Sequence, residues 1–186
     1  MSSHPRLEEL VTAIGIEKVV SLADYAPEDP TWVPALLVAC TDPKPRNRKA
    51  AWVLHHIFLR HTNLIEPQVE PLIEILHASK DGSVHRELLK ILVEIKINEV
   101  EWVKFSPLLF DLGVGILFDE DQKKGMHYIA IRLTERFMNS EKERIDALDA
   151  IKQMLAHSYS EEITMCNAAE KAMKRISNRK LSEKKS

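Results

Sequence analysis

Five glycines in 186 residues leave little material for the loops on which the common enzyme folds depend. Phosphate-cradling GxGxxG and GxxxxGK[ST] and the nucleophile elbow GxSxG are all absent. Cysteine is equally sparse. Cys40 and Cys166 are the only two, and they form no CxxC. That excludes a disulfide framework and a thiolate zinc site, and it predicts free, mostly buried thiols in a reducing compartment. No apolar run approaches the roughly 18 residues of a membrane span. The opening MSSHPRLEEL has neither the basic nor the apolar region of a secretory leader. A cytoplasmic protein that makes no membrane contact is the expectation. Charge of one sign is missing too: 26 basic residues face 28 acidic ones, a net charge of -2. Bulk attraction to nucleic acid or anionic lipid is therefore not expected, and any such binding would need local clustering.

What the chain does have is hydrophobic residues, 45% of the total, enough for one domain that buries roughly 70% of its unfolded surface. They recur with helical spacing everywhere, and no segment alternates apolar and polar residues beside a turn dipeptide. Leu7, Leu10, Val11 and Ile14 mark a first helix ending near Gly15. A second runs from Ile16 to about Tyr25, before Pro27 and Pro30 break the chain.

From Thr31 onward the pattern repeats. Pro34, Pro71 and Pro107 fall 37 and 36 residues apart. Acidic turns at Asp42, Asp81 and Asp119 are spaced 39 and 38, and basic openers at Arg48, Arg86 and Lys124 are spaced 38 and 38. A fixed period of this length means stacked helix–turn–helix units. A fourth unit, about Lys142 to Ile176, keeps the helix pair but lacks the proline and the opener. Divergence of that kind suits a terminal unit, one face of which has no neighbour.

The stretch Asp81-Gly82-Ser83-Val84-His85-Arg86-Glu87-Leu88-Leu89-Lys90-Ile91-Leu92 resembles the turn and second helix of a HEAT repeat, and the first-helix prolines are similar to a habit of that family. The resemblance implies an all-α fold, a short right-handed α-α superhelix of about four helix pairs behind N-terminal capping helices. Residues 1–176 would form this single solenoid, with 1–30 as cap and 31–176 as repeats, and 177–186 would be a basic flexible tail. It also implies a structural ladder in which Asp42, Asp81 and Asp119 pair with the openers Arg48, Arg86 and Lys124. Since Lys124 lacks the bidentate geometry of arginine, its rung should be weakest.

A helix turns about 100° per residue, so the faces of the second helices can be drawn. With Leu54 at the centre of the core side, Arg48, Trp52, His56 and Arg60 point to solvent. Adding the period gives Arg86, Lys90, Glu94 and Asn98, then Lys124, Tyr128, Arg132 and Arg136. With flanking Lys49, Glu87 and Glu135, the arc holds eight basic side chains against three acidic ones. Leu54, Leu88, Leu92 and Leu133 form the buried seam. Truncation of solvent-facing Lys90 should then cost roughly 0.5 kcal/mol or less.

The histidines do not make a metal site. Adjacent His55 and His56 diverge by about 100°, and neither HExxH nor His-x-x-x-His occurs. Surface or boundary positions are expected for the histidines, and no motif calls for a cofactor. Among helical-repeat enzymes the chain is similar to the HEAT-like alkylpurine DNA glycosylases in Trp52 and the basic arc. Where a catalytic acid would be sought one turn on, however, stands His56.

The reading that follows is a non-enzymatic scaffold. It binds an acidic or amphipathic protein or peptide on its concave second-helix face through Arg48, Trp52, His56, Arg60, Lys90, Tyr128, Arg132 and Arg136. Nucleic acid is the alternative partner, with the same cations on phosphates and the aromatics on bases. A third reading uses the convex first helices, through Trp32, Trp102 and Phe105. Partner identity and oligomeric state are not encoded in any motif.

Overall fold

A computed structural model describes residues 4–12, 15–159 and 162–181. All of its regular structure is helical, and it divides into two compact units, Met1–Ile97 and Asn98–Ser186. Ile14, assigned from the sequence to the first helix, lies outside the described residues.

The first unit contains α1 (Leu7–Thr12), α2 (Ile16–Asp24), α3 (Trp32–Ala39), α4 (Arg46–Arg60), the short α5 (Thr62–Ile65), a 3-10 turn at Glu66–Gln68, α6 (Val69–Ala78) and α7 (Gly82–Glu94). Its packing makes two layers. First helices α1, α3 and α6 touch in series, and second helices α2, α4 and α7 do the same. The N-terminal helices are therefore another pair in the stack. Gly15, the N-cap of α2, has φ 86°, a conformation that side chains with a Cβ rarely adopt. Pro34 and Pro71 each stand third in their helix, where a missing N–H removes no intrahelical bond. Leu54, Leu88 and Leu92 are fully buried, on the side drawn from the sequence.

The second unit contains α8 (Glu99–Phe118), α9 (Lys124–Phe137), α10 (Glu141–Ser158) and α11 (Ile163–Asn178). First helices α8 and α10 pack on each other, as do second helices α9 and α11. Helix α8 starts two turns before its repeat proline because Asn98 caps it, accepting the Glu101 N–H at 2.9 Å. Pro107 thus falls inside the helix, on an exposed side where water can take the carbonyl left without its bond. Ser140 and Glu143 close a reciprocal capping box at the start of α10.

Helices α8 and α9 approach closely because Gly113 has no side chain. A Cβ there would lie 2.9 Å from Thr134 Cγ2 and 3.3 Å from the Thr134 amide nitrogen. Thr134 is buried and β-branched, so it cannot swing aside. Gly113→Ala should destabilise the chain by roughly 1–3 kcal/mol in urea titration, because overpacking outweighs the ~1 kcal/mol that alanine gains in a helix. Gly115→Ala, where a Cβ meets nothing within 4 Å, should show that gain alone.

Candidate binding faces

The start of α7 is organised by Asp81. As N-cap, its carboxylate accepts the Ser83 N–H at 2.8 Å. It also accepts Arg48 Nε at 2.9 and 3.2 Å from the first turn of α4, and Lys44 Nζ at 3.0 Å. Burial alone would raise this carboxyl's pKa, but Lys44, Arg48 and the Ser83 amide hold it well below the usual carboxylate range. The second unit repeats the relation. Lys124, in the first turn of α9, donates to Glu162, the N-cap of α11, and to Thr164 Oγ1 at 3.1 Å.

This ladder differs from the one drawn by spacing. Arg48, assigned both to the ladder and to the binding arc, is a rung. Asp42 instead accepts Arg46, four residues on, at 3.3 Å. Asp119 folds back on its own turn, accepting the Asp121 N–H at 3.1 Å and Gln122 Nε2 at 2.8 Å. Arg86 donates to its neighbour Glu87 at 3.0 Å. The correct acid is the N-cap of the next second helix, which the spacing of turn acids identified only at Asp81.

Glu87 is the larger correction. Placed in the solvent arc, it is 4% exposed. Helix α7 packs on both α4 and α6, so it is buried over a broader sector than a single centre line allows. The carboxylate accepts His55 Nδ1 from α4 at 2.9 Å, Arg86 Nε at 3.0 Å and Lys90 Nζ at 2.9 and 3.0 Å. Burial pushes its pKa up, but His55 and Lys90 outweigh this and hold it down at about 2. Lys90 is thus a partner of a buried charge. Its truncation should cost more than a bare surface lysine would.

Three of the cations drawn in the first unit's arc are consequently matched. Besides Arg48 with Asp81 and Lys90 with Glu87, Arg60 is paired with Asp24 of α2, its Nη2 donating at 3.0 Å. Asp81 comes from a turn and Asp24 from a neighbouring helix, so a count along α4, α7 and α9 alone overstates the positive charge. Between these pairs stands Trp52, half-buried, with Lys49 Nζ 5.7 Å from its ring centroid and the His56 ring at 6.1 Å. Burial lowers the His56 pKa, and neighbouring His55 adds to the effect.

In the second unit, half-buried Tyr128 lies 5.9 Å from Lys124 Nζ. Arg132 is exposed on the next turn, and Arg136 sits 5.1 Å from the Phe137 ring. Glu135 is occupied by Arg175 of α11, at 2.5 and 2.7 Å. The proposed site residues therefore fall into two sets. Arg48, Trp52, His56, Arg60 and Lys90 belong to the first unit, and Tyr128, Arg132 and Arg136 to the second.

Three other expectations change. The residues chosen for a first-helix surface are inside. Trp32 is fully buried and donates to the Leu22 carbonyl at 2.9 Å, Phe105 is buried, and Trp102 is half-buried against Phe137 with its Nε1 on Asn139 at 3.2 Å. The segment read as a flexible tail from residue 177 begins as helix and docks. Helix α11 runs through Asn178, Arg144 donates to the Arg179 carbonyl at 3.2 Å, and Arg179 donates to the Glu135 carbonyl. Lys184 and Lys185 lie outside the described residues. Among the histidines, His127 is fully buried. Its Nε2–H donates to the Asp119 carbonyl at 3.1 Å, so its Nδ1 accepts the Tyr159 hydroxyl at 2.9 Å.

Among the described residues no group of three or more His, Cys, Asp and Glu side chains is placed to hold a metal ion, and no helix is long and apolar enough to cross a membrane. A family model described as HEAT repeat domain matches residues 7–176. The chain belongs to the HEAT repeat family. That family is typically non-catalytic, and its fold is of the protein-interaction scaffold kind. No curated protein and no solved structure matches the chain.

The Glu87 cluster generates a stability prediction. A carboxyl whose pKa is depressed from 4.5 to about 2 stabilises the fold above pH 4.5, and that contribution is lost as pH falls towards 2. In acid unfolding, Glu87→Gln should be less stable than wild type at neutral pH and should show a flatter profile in that window. Lys90→Ala should cost roughly 1–2 kcal/mol at neutral pH, since it removes one partner of a buried charge while leaving others. A parallel acid limb would show that Glu87 carries no native-state advantage.

Proposed function

We propose that the chain is a non-enzymatic scaffold whose first unit receives an acidic or amphipathic protein segment on the outer face of α4 and α7. The observation that supports this most is Trp52, a large aromatic left half-buried among cations on a helix whose other aromatic, Phe58, is buried. Tryptophan and arginine are the side chains that most often carry binding energy at interfaces.

The ion pairs favour this use of the face. Arg48, Arg60 and Lys90 keep 46%, 45% and 37% of their side chains exposed while paired. Their carboxylates hold them in one orientation, so an incoming acidic residue meets cations that have already lost rotamer freedom. The same pairing works against a polyanion, since few cations are left uncompensated to release counterions from phosphates. In the second unit, Tyr128 with Arg132 and Arg136 would supply a second set of contacts of the same chemistry.

Once a partner is captured from lysate treated with nuclease, Trp52→Ala should weaken its binding by roughly 2 kcal/mol or more, the scale of a buried interfacial aromatic. Reversing Arg132 and Arg136 to glutamate tests the second set by itself and should weaken whatever that set binds, with an effect that shrinks as salt screens charges beyond about 8 Å. Trp102→Ala serves as control and should leave affinity unchanged. Full binding by all the face variants would remove the reading, and capture that depends on nucleic acid would replace it.

A further inference from the structure

Helix α3 has the sequence WVPALLVA, without one charged or hydrogen-bonding side chain other than the Trp32 indole. A helix that is apolar all round is normally covered on every side. This one is not. Trp32, Leu36 and Ala39 are buried, but Pro34 is exposed, Ala35 is half-buried and Val38 is 69% exposed. Between α3 and α6 runs an apolar furrow of about 380 Å³, walled by Leu37, Val38, Pro71 and Ile75. It continues over Thr41 and Ala78 into a second hollow of about 360 Å³ at the turns preceding α4 and α7.

The electrostatics of the furrow are opposite to those of the second-helix face. No lysine or arginine occurs on α3 or α6, and the acidic side chains there are Glu70 and Glu74, both exposed on α6. Glu74 lines the furrow itself. Helix α4, in the other layer, carries Arg46, Arg48, Lys49 and Arg60 and no acid. The first unit is thus polarised across its two layers.

We infer that the α3–α6 furrow is a second interaction surface, whose occupant is an amphipathic segment of a partner protein bearing aliphatic side chains flanked by lysine or arginine. The aliphatic groups would cover Val38 and Pro71, and the cations would face Glu74. A helix laid in such a groove is a recurrent mode of recognition in which apolar anchors give affinity and rim charges give orientation. The surface is distinct from the α4–α7 face, and neither depends on the other.

The test uses two fluorescent synthetic helical peptides and the full chain, followed by anisotropy. Both peptides present leucine on one face, and the polar face is lysine in one and glutamate in the other. The lysine peptide should bind. Val38→Asp and Glu74→Lys should each weaken it about tenfold or more, whereas Trp52→Ala should leave it unchanged. Both substitutions fall on exposed positions, and circular dichroism checks that each variant keeps its helix. Unchanged affinity in both variants would overturn the inference, as would loss of lysine-peptide binding in Trp52→Ala, which would place the peptide on the opposite layer. Sedimentation adds one further outcome. Self-association of the wild type that disappears in Val38→Asp would make a second copy of the chain the occupant, and the partner segment proposed here would be wrong.

Discussion

In both units a cation in the first turn of one second helix is held against the carboxylate of the N-cap residue of the next. Arg48 reaches Asp81 and Lys124 reaches Glu162. Each carboxylate sits where the helix N-terminus already favours negative charge, and that of Asp81 also accepts the Ser83 N–H, so one group satisfies the end of α7 and ties it to α4. Asp81 does this under burial, with three donors. A residual buried charge is costly unless it is met from several directions, and that requirement fixes the relative position of α4 and α7. The outward side of those helices is presented as a consequence.

The same logic explains why the charged face of the first unit is less positive than its helices. Arg48, Arg60 and Lys90 are each drawn to a carboxylate: Asp81 from a turn, Asp24 from α2 and Glu87 from the buried side of α7 itself. Such pairing makes the surface rigid without making it strongly attractive to a polyanion. On the other layer the opposite arrangement holds, with α3 bare of charge and α6 acidic.

Much of the fold was legible in the sequence because the repeat is enforced by steric and capping constraints that leave marks at fixed positions. Prolines recur in the first helices, and the apolar seam of Leu54, Leu88, Leu92 and Leu133 is fully buried where helical spacing put it. The site was less legible, for reasons that are geometric. Glu87 looked solvent-facing because a helix wheel has one core direction, whereas α7 is packed from two sides. Trp32 looked available because its burial depends on the Leu22 carbonyl and on His4, whose ring lies 4.7 Å away from a distant part of the chain. The rungs were misdrawn because turn acids at equal spacing looked equivalent. Only the N-cap of the following second helix is near enough to accept the cation. The polar composition of the C-terminal residues concealed that Arg144 and Arg179 dock their beginning through backbone carbonyls.

The dependence of the structure on these rungs is measured most directly by paired double-mutant cycles in urea unfolding. One cycle removes Arg48 and Asp81 singly and together, and the other removes Lys124 and Glu162. Asp81 is nearly buried, with 5% of its side chain exposed, whereas the side chains of Lys124 and Glu162 are 42% and 39% exposed. The coupling between Arg48 and Asp81 should therefore be about 1–3 kcal/mol, and that between Lys124 and Glu162 about 0.5 kcal/mol or less. A coupling at Arg48–Asp81 no larger than that at the exposed rung would contradict the account, because the buried carboxylate would then not be what holds α4 to α7.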